Sequence, residues 1–233
     1  MKKPTQIVAV TQPLINDELY NTMSIDDFIA YCARVSNPSN QMNNLTAPKL
    51  LRYCAEHKHW SIFEMVNLVI EVNTTRDIGR QILRHRSFSF QEFSQRYADP
   101  TQLGFQTKEA RLQDTKNRQN STEIDHYDDA QQKLFYDWEQ RQKSVIENVT
   151  ENYKWAIDNG IAKEQARAVL PEGLTMSRLY INGTLRSWIH YCQLRTGNGT
   201  QKEHRDIAIS AWDQIIEIFP SLKGMIEIEE HAE

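Results

Sequence analysis

Residues 84–97 read RHRSFSFQEFSQRY: three cationic or titratable side chains, an aromatic alternation, then a carboxylate, a hydroxyl and another arginine. Upstream, Thr74 or Thr75 can cap a helix that runs through Leu83, with Arg76, Arg80 and Arg84 spaced by four and Gln81 sharing a face with Arg84 and His85. The helix runs out near His85, and SFSFQEF then alternates as a strand or extended loop does. Such a chain projects Glu92, Ser94 and Arg96 to one side and Phe93, Gln95 and Tyr97 to the other. Arginine forks grip phosphate oxygens, a serine hydroxyl with free amides completes an anion cradle, and a nearby carboxylate accepts from a ribose hydroxyl or an imide. The combination describes a nucleotide site better than a charge patch. Residue types alone also allow a plainer reading, since exposed Arg–Glu pairs are common and contribute only about 0–1 kcal/mol.

Working outward, Gln6–Val10 predicts a first strand, Ile25–Val35 a helix capped by Ser24, 37–44 a loop, Pro48–His57 a second helix and the β-branched run Met65–Val72 a strand. Residues 102–125 are polar and aperiodic, which predicts a surface loop. From about Asp128 to Asn159, the apolar Leu134, Trp138, Val145, Val149 and Trp155 lie among charges, and Gly160 follows, so one long amphipathic helix is expected. A helix over Lys163–Val169 must end by Leu170, because Pro171 restricts the residue before it. Beyond Gly173 the pattern predicts an apolar stretch to Ile181, a turn at Asn182 and Gly183, a helix over Thr184–Arg195, a second turn at TGNG and a last helix over Thr200–Ile218.

With 233 residues, 39% hydrophobic and 25% charged, one domain with a sizeable core is expected over 1–233. A net charge of −4 disfavours a nucleic-acid-coating protein. Cys32, Cys54 and Cys192 form no paired framework and no metal motif, which fits a cytoplasmic protein with no metal. The opening MKKPTQIVAVTQPL has too short an apolar run for a signal peptide or membrane span. The common Gly-rich nucleotide, phosphate-loop, serine-elbow and HExxH motifs are all missing from the sequence.

Arg84, His85 and Arg86, followed by seven residues and Ser94, resemble the signature of the flavin-dependent thymidylate synthases, and SFQEFSQRY extends the likeness to Tyr97. Three further places resemble that family: HWSIFE with His59, Ser61 and Glu64; ARAVLP over Ala166–Pro171; and the nine-residue step from Arg186 to Arg195. The similarity runs from about residue 25 to 215. Departures are Gln91, where the family commonly has Asn, His190, where an Asn often stands, and Thr184 two residues before Arg186, where the family usually has Asn and this chain's nearest Asn is Asn182.

The resemblance implies an α+β fold with a central, largely antiparallel sheet covered by helices, and a homotetramer with active sites between subunits. It implies FAD, dUMP, methylenetetrahydrofolate and NADPH as cofactor and substrates, with dTMP as product and no nucleic-acid or membrane partner. It carries His59, Ser61, Glu64, Arg84, His85, Arg86, Glu92, Asn182 or Thr184, Arg186 and His190 to the flavin. It carries Gln81, Ile82, Leu83, Arg84, Glu92, Phe93, Ser94, Gln95, Arg96, Arg167 and Arg195 to dUMP. Chemically, a guanidinium against the uracil imide favours the ionised ring, the role expected of Arg195, while Arg96, Arg167 and Ser94 suit the phosphate. His85 is expected to be neutral between its arginines. The cysteines are expected to be buried spectators, and Trp60, Trp138, Trp155, Trp188 and Trp212 core residues. A nucleotide or single-strand binder using the Arg–aromatic alternation, and a flavin reductase that never methylates, are the competing readings.

Overall fold

The fold is described from a computed structural model covering residues 3–15 and 23–228. Four strands make one sheet: β1 (Thr5–Val10), β2 (Asn67–Thr75), β3 (Ser89–Glu92) and β6 (Met176–Thr184), ordered β1-β2-β6-β3, with every neighbour antiparallel. The mixed architecture with an antiparallel sheet is the expected fold class. β2 and β6 pair over nine residues, from Asn67↔Thr184 to Thr75↔Met176. One sheet face is buried through Leu68, Ile70, Val72, Leu179 and Ile181, and the alternating residues Val69, Glu71, Arg178, Tyr180 and Asn182 face the other way.

Helices α1 (Ile25–Ala33), α2 (Ala47–Glu56), α3 (Arg76–Ile82), α6 (Leu185–Arg195) and α7 (Lys202–Ile218) contribute to the core, where Trp188, Trp212, Phe63 and Phe219 are among the largest fully buried side chains. Ser24 caps α1 as expected, its hydroxyl accepting from the Asp27 amide at 3.1 Å. Leu170 adopts an extended conformation ahead of Pro171 and ends the turn of 3-10 helix that follows α5 (Lys163–Ala166). α4 (Asp129–Asp158) is one unbroken helix of 30 residues, started by Asp128, whose carboxylate accepts from the Ala130 and Gln131 amides.

Three expectations need correction. The turn expected at Asn182 and Gly183 is strand: both lie inside β6, and Gly183 is needed because a Cβ there would come within 2.3 Å of the Phe88 ring. The polar segment 102–125 carries a short hairpin of β4 (Leu112–Gln113) and β5 (Ser121–Thr122), too brief to leave a periodic signal. Trp138 and Trp155 are 43% and 61% exposed on α4 and are not core, whereas Trp188 and Trp212 are.

Phe88 packs edge-tilted on Trp188 with ring centroids 4.6 Å apart, so the ring has little room to retreat from a new methyl group. Gly183→Ala should therefore destabilise the protein by about 1–3 kcal/mol, the usual cost of overpacking. Combined with Phe88→Leu, the loss measured by urea unfolding should be smaller than the sum of the two single losses.

Candidate active site

β2 leads directly into α3 and β6 directly into α6, from opposite ends of their shared nine-residue pairing. The C-terminal ends of the two helices nevertheless meet, for Arg195, the last residue of α6, donates from Nε to His85 Nε2 at 3.0 Å just beyond α3. A guanidinium can only donate, so His85 carries its proton on Nδ1. Burial, and then the Arg195 charge, hold the His85 imidazole below its ordinary value, as a neutral ring requires. The neighbour responsible is Arg195, 110 residues away, and not the flanking Arg84 or Arg86. Both of those side chains are exposed, with no hydrogen bond or ion pair among the described residues.

Next to this pair lies His204 of α7, fully buried, with Nε2 3.1 Å from the Tyr191 hydroxyl and Nδ1 3.1 Å from Gln81 Oε1. Burial, then Arg195 and His85, push its pKa down to about 3. His204 belongs to no motif, and its place on an otherwise apolar helical face is the one signal the sequence carries for it. Cys192 is fully buried and burial drives its thiol up, so it is the inert residue expected.

Glu92, at the end of β3, accepts through Oε1 from Arg76 Nη1 at 3.3 Å and from the Ser177 hydroxyl at 3.0 Å. Arg76 is 6% exposed and also reaches Glu172, so it fixes Glu92 from below the sheet edge. Past Glu92 the expected alternation fails. Strand pairing stops there, and the Ser94 carbonyl accepts from the Tyr97 and Ala98 amides while its hydroxyl accepts from Arg96 N, closing a turn. In consequence Gln95 is buried while Tyr97 is 81% exposed, although both were expected on one side. The Gln95 amide nitrogen is buried without a hydrogen-bond partner. Phe93 is half-buried beside it.

Arg96 pairs with the Glu164 carboxylate at 3.4 Å, and Arg167 donates to the Glu164 carbonyl at 3.2 Å, so the two expected phosphate ligands do come together. Among the described residues no hydrogen bond or ion pair joins them to the Arg195–His85 group. A third group forms where Trp60–Glu64 coils as 3-10 helix beside α6: Glu64 pairs with Arg186, and Trp60 packs edge-on to His190 at 4.6 Å. Ser61 and His59 are exposed nearby, His59 edge-on to Tyr53. The Thr184 hydroxyl is taken as the cap of α6, accepting from Ser187 N, whereas Asn182 faces out of the open sheet face. Ile82 is fully buried and Leu83 is partly buried against the core.

A cavity of about 700 Å³ lies between the β4–β5 hairpin, α4 and the start of α7. None of the expected site residues lines it, and it touches them only through Gln201, which accepts from Gln81 Nε2 at 2.8 Å. Among the described residues no group of side chains has the makings of a metal site, and no helix is long and apolar enough to cross a membrane.

Residues 18–221 match the family model described as thymidylate synthase complementing protein. The chain belongs to that family. Two of its relatives are a probable flavin-dependent thymidylate synthase of Paramecium bursaria Chlorella virus 1, 48% identical over 222 residues, and the flavin-dependent thymidylate synthase of Synechocystis sp., 46% identical over 224 residues. Each alignment covers 95% of this chain and 98% of the relative. The same fold occurs in a UMP/dUMP methylase, PolB, from Streptomyces cacaoi, solved with 5-Br UMP (TM-score 0.72, 23% identity, 96% and 95% of the two chains) and with 5-Br dUMP (0.71, 22%, 94% and 93%). Membership in the family accounts for the RHR signature, and the geometry adds the Arg195–His85 contact that no motif spells out.

Half-buried His85 and fully buried His204 both have pKa values below the 6.5 of a free imidazole, so the unfolded chain takes up protons before the folded one does. Their contribution to stability is complete above about pH 6.5 and is lost as the pH falls toward the folded values. At about pH 5, His204 alone should cost about 2 kcal/mol relative to neutral pH. Urea midpoints at the two pH values check this, and the acid loss should shrink in His204→Asn.

Proposed function

We propose that this protein is a flavin-dependent thymidylate synthase that methylates dUMP to dTMP, with FAD as cofactor, methylenetetrahydrofolate as carbon donor and NADPH as reductant. The observation that carries the reading is the Arg195–His85 contact within the family signature, in a chain 48% and 46% identical to flavin-dependent thymidylate synthases over nearly its whole length.

The residues fit a flavin. Arg84 and Arg86, unpaired among the described residues, offer cations for a pyrophosphate on either side of a half-buried neutral His85, and the Glu64–Arg186 pair, exposed Ser61 and the His190 ring against Trp60 offer further polar groups. His59 borders that group, and Asn182 is better placed than Thr184 to reach a ligand, since the threonine hydroxyl is engaged in capping. Once bound, FAD would supply the hydride chemistry that amino-acid side chains lack.

For the nucleotide, Arg195 is held by its Nε alone, leaving both Nη groups for the uracil imide nitrogen and carbonyl. The charge favours the ionised ring and so enriches the carbon that accepts the methylene. Neutral His85 keeps the guanidinium aimed without adding a competing positive charge. Arg96 pairs with a Glu164 carboxylate that is 51% exposed, a weak pairing that a phosphate dianion can displace, and Arg167 is tied only to the Glu164 carbonyl. The orphaned Gln95 amide beside Ser94 lacks an acceptor that the same ligand would provide. Glu92, fixed by Arg76 and Ser177, keeps its second oxygen for the sugar or base. Ile82, Leu83 and Arg84 border the site through their backbone, and Gln81 and Phe93 through their side chains.

A homotetramer with shared active sites is part of this proposal. It is supported by the Leu134, Trp138 and Val145 side chains on α4, each more than 40% exposed. We place the enzyme in the cytoplasm, in keeping with its free cysteines.

Purified protein should be yellow and should bleach on NADPH addition; colourless protein that takes up no FAD overturns the reading. Flavin oxidation without dTMP formation from dUMP and methylenetetrahydrofolate would make it a reductase. Arg195→Ala should abolish dTMP formation with flavin still bound, and an unaltered rate removes Arg195 as the activator. Arg96→Ala should weaken dUMP binding by about 2–5 kcal/mol if the charge pair is desolvated, measured by titration.

A further inference from the structure

We propose that His204 is a positioning residue for the nucleotide site, fixing the side-chain amide of Gln81 through a one-way chain of hydrogen bonds that begins at the Tyr191 hydroxyl. What Gln81 touches rests on the function proposed above; the network itself rests on hydrogen-bond geometry and on burial.

His204 is fully buried, between Tyr191 on α6 and Gln81 on α3. The Tyr191 hydroxyl is 3.1 Å from His204 Nε2 and has no other polar partner among the described residues. Burial keeps the phenol protonated. Its proton therefore goes to Nε2, since any other direction would leave a buried donor unmade. The imidazole, kept neutral by burial beside Arg195 and His85, then holds its proton on Nδ1, aimed at Gln81 Oε1 at 3.1 Å. Gln81 Nε2 donates in turn to Gln201 Oε1 at 2.8 Å, and Gln201 Nε2 donates to Glu203 Oε2 at 2.9 Å.

Both ends dictate this direction. A carboxylate only accepts, so reversing the chain would turn the Gln201 oxygen onto Glu203, and at the far end it would strand the tyrosine proton. Gln81 is left in one rotamer and one amide orientation, with one N–H and one lone pair still free. A ligand meeting that amide finds it already ordered. A glutamine that must be frozen on binding costs up to about tenfold in affinity.

The test compares dUMP affinity, by equilibrium titration of the flavin-loaded protein, in wild type, His204→Phe and His204→Asn. Phenylalanine fills the space without a donor and should weaken dUMP about tenfold, with flavin content kept and turnover at saturating dUMP within about threefold. Asparagine can place an N–H where Nδ1–H stood and should recover most of the loss. Unchanged affinity in His204→Phe overturns the proposal, and so does an equal loss in both variants, which would assign His204 to packing. Should His204→Phe not fold, Tyr191→Phe replaces it, with a loss of about threefold expected and an unchanged affinity overturning the role.

Histidine-selective nitrogen-15 spectra of the wild-type protein read the network without any ligand. A neutral ring protonated on Nδ1 between about pH 6 and pH 8 supports it, and a proton on Nε2 overturns it. If wild-type protein fails to bind dUMP, the proposed function falls and the positioning role with it, while the spectra still decide the hydrogen-bond chain.

Discussion

The site depends on one antiparallel pairing. Nine residues of β2 lie opposite nine of β6, and each strand hands over to a helix at the end where the other begins. α3 and α6 thus start at opposite ends of the same sheet and can bring their C-terminal residues together on its buried side. A one-residue slip would turn Leu68, Ile70 and Val72 outward and carry the start of each helix along with its strand. The packing of Phe88 against the bare Cα of Gly183 guards that register from the β3 side, because no other residue admits the ring.

Burial on that inner face sets the electrostatics. A histidine in water near neutral pH is an indecisive group, but His85 is half withdrawn and His204 wholly withdrawn from solvent beside a permanent cation, which favours the neutral ring in both. A neutral imidazole can accept from Arg195 where an imidazolium would repel it. The guanidinium keeps a fixed direction, and its charge stays uncompensated by any carboxylate among the described residues. On the proposed reading, that unspent charge acts on the pyrimidine.

Much of the fold was legible in the sequence wherever a local rule decided the matter. Ser24, Asp128 and Pro171 marked real boundaries because capping and the pre-proline restriction act within a turn of the chain. Gly183 misled because a glycine after an asparagine usually signals a turn, whereas here the reason was a ring almost a hundred residues away. The run through Tyr97 was read as continuous alternation, and its turn at Ser94 depends on a serine choosing its own backbone over the neighbouring strand. The site residues named from the signature could be listed from sequence, but their supports could not. Arg76 beneath Glu92 and His204 behind Gln81 act through contacts 16 and 123 residues distant, with no motif to announce them.

The arrangement also gives the cations of the site different partners. Arg195 is half-buried at the α3–α6–α7 junction and held by His85, while Arg96 lies exposed and Arg167 half-buried around Glu164. Buried groups suit the part of a ligand whose electronic state must be controlled, since a low dielectric magnifies a fixed charge. An exposed arginine such as Arg96 suits a phosphate, whose strong charge needs capture more than fine orientation. On the proposed reading the active site is shared between copies of the chain, and the exposed apolar side chains of α4 supply a surface on which such a copy can be held. Oligomerisation would then be a condition for assembling the site as well as a source of stability.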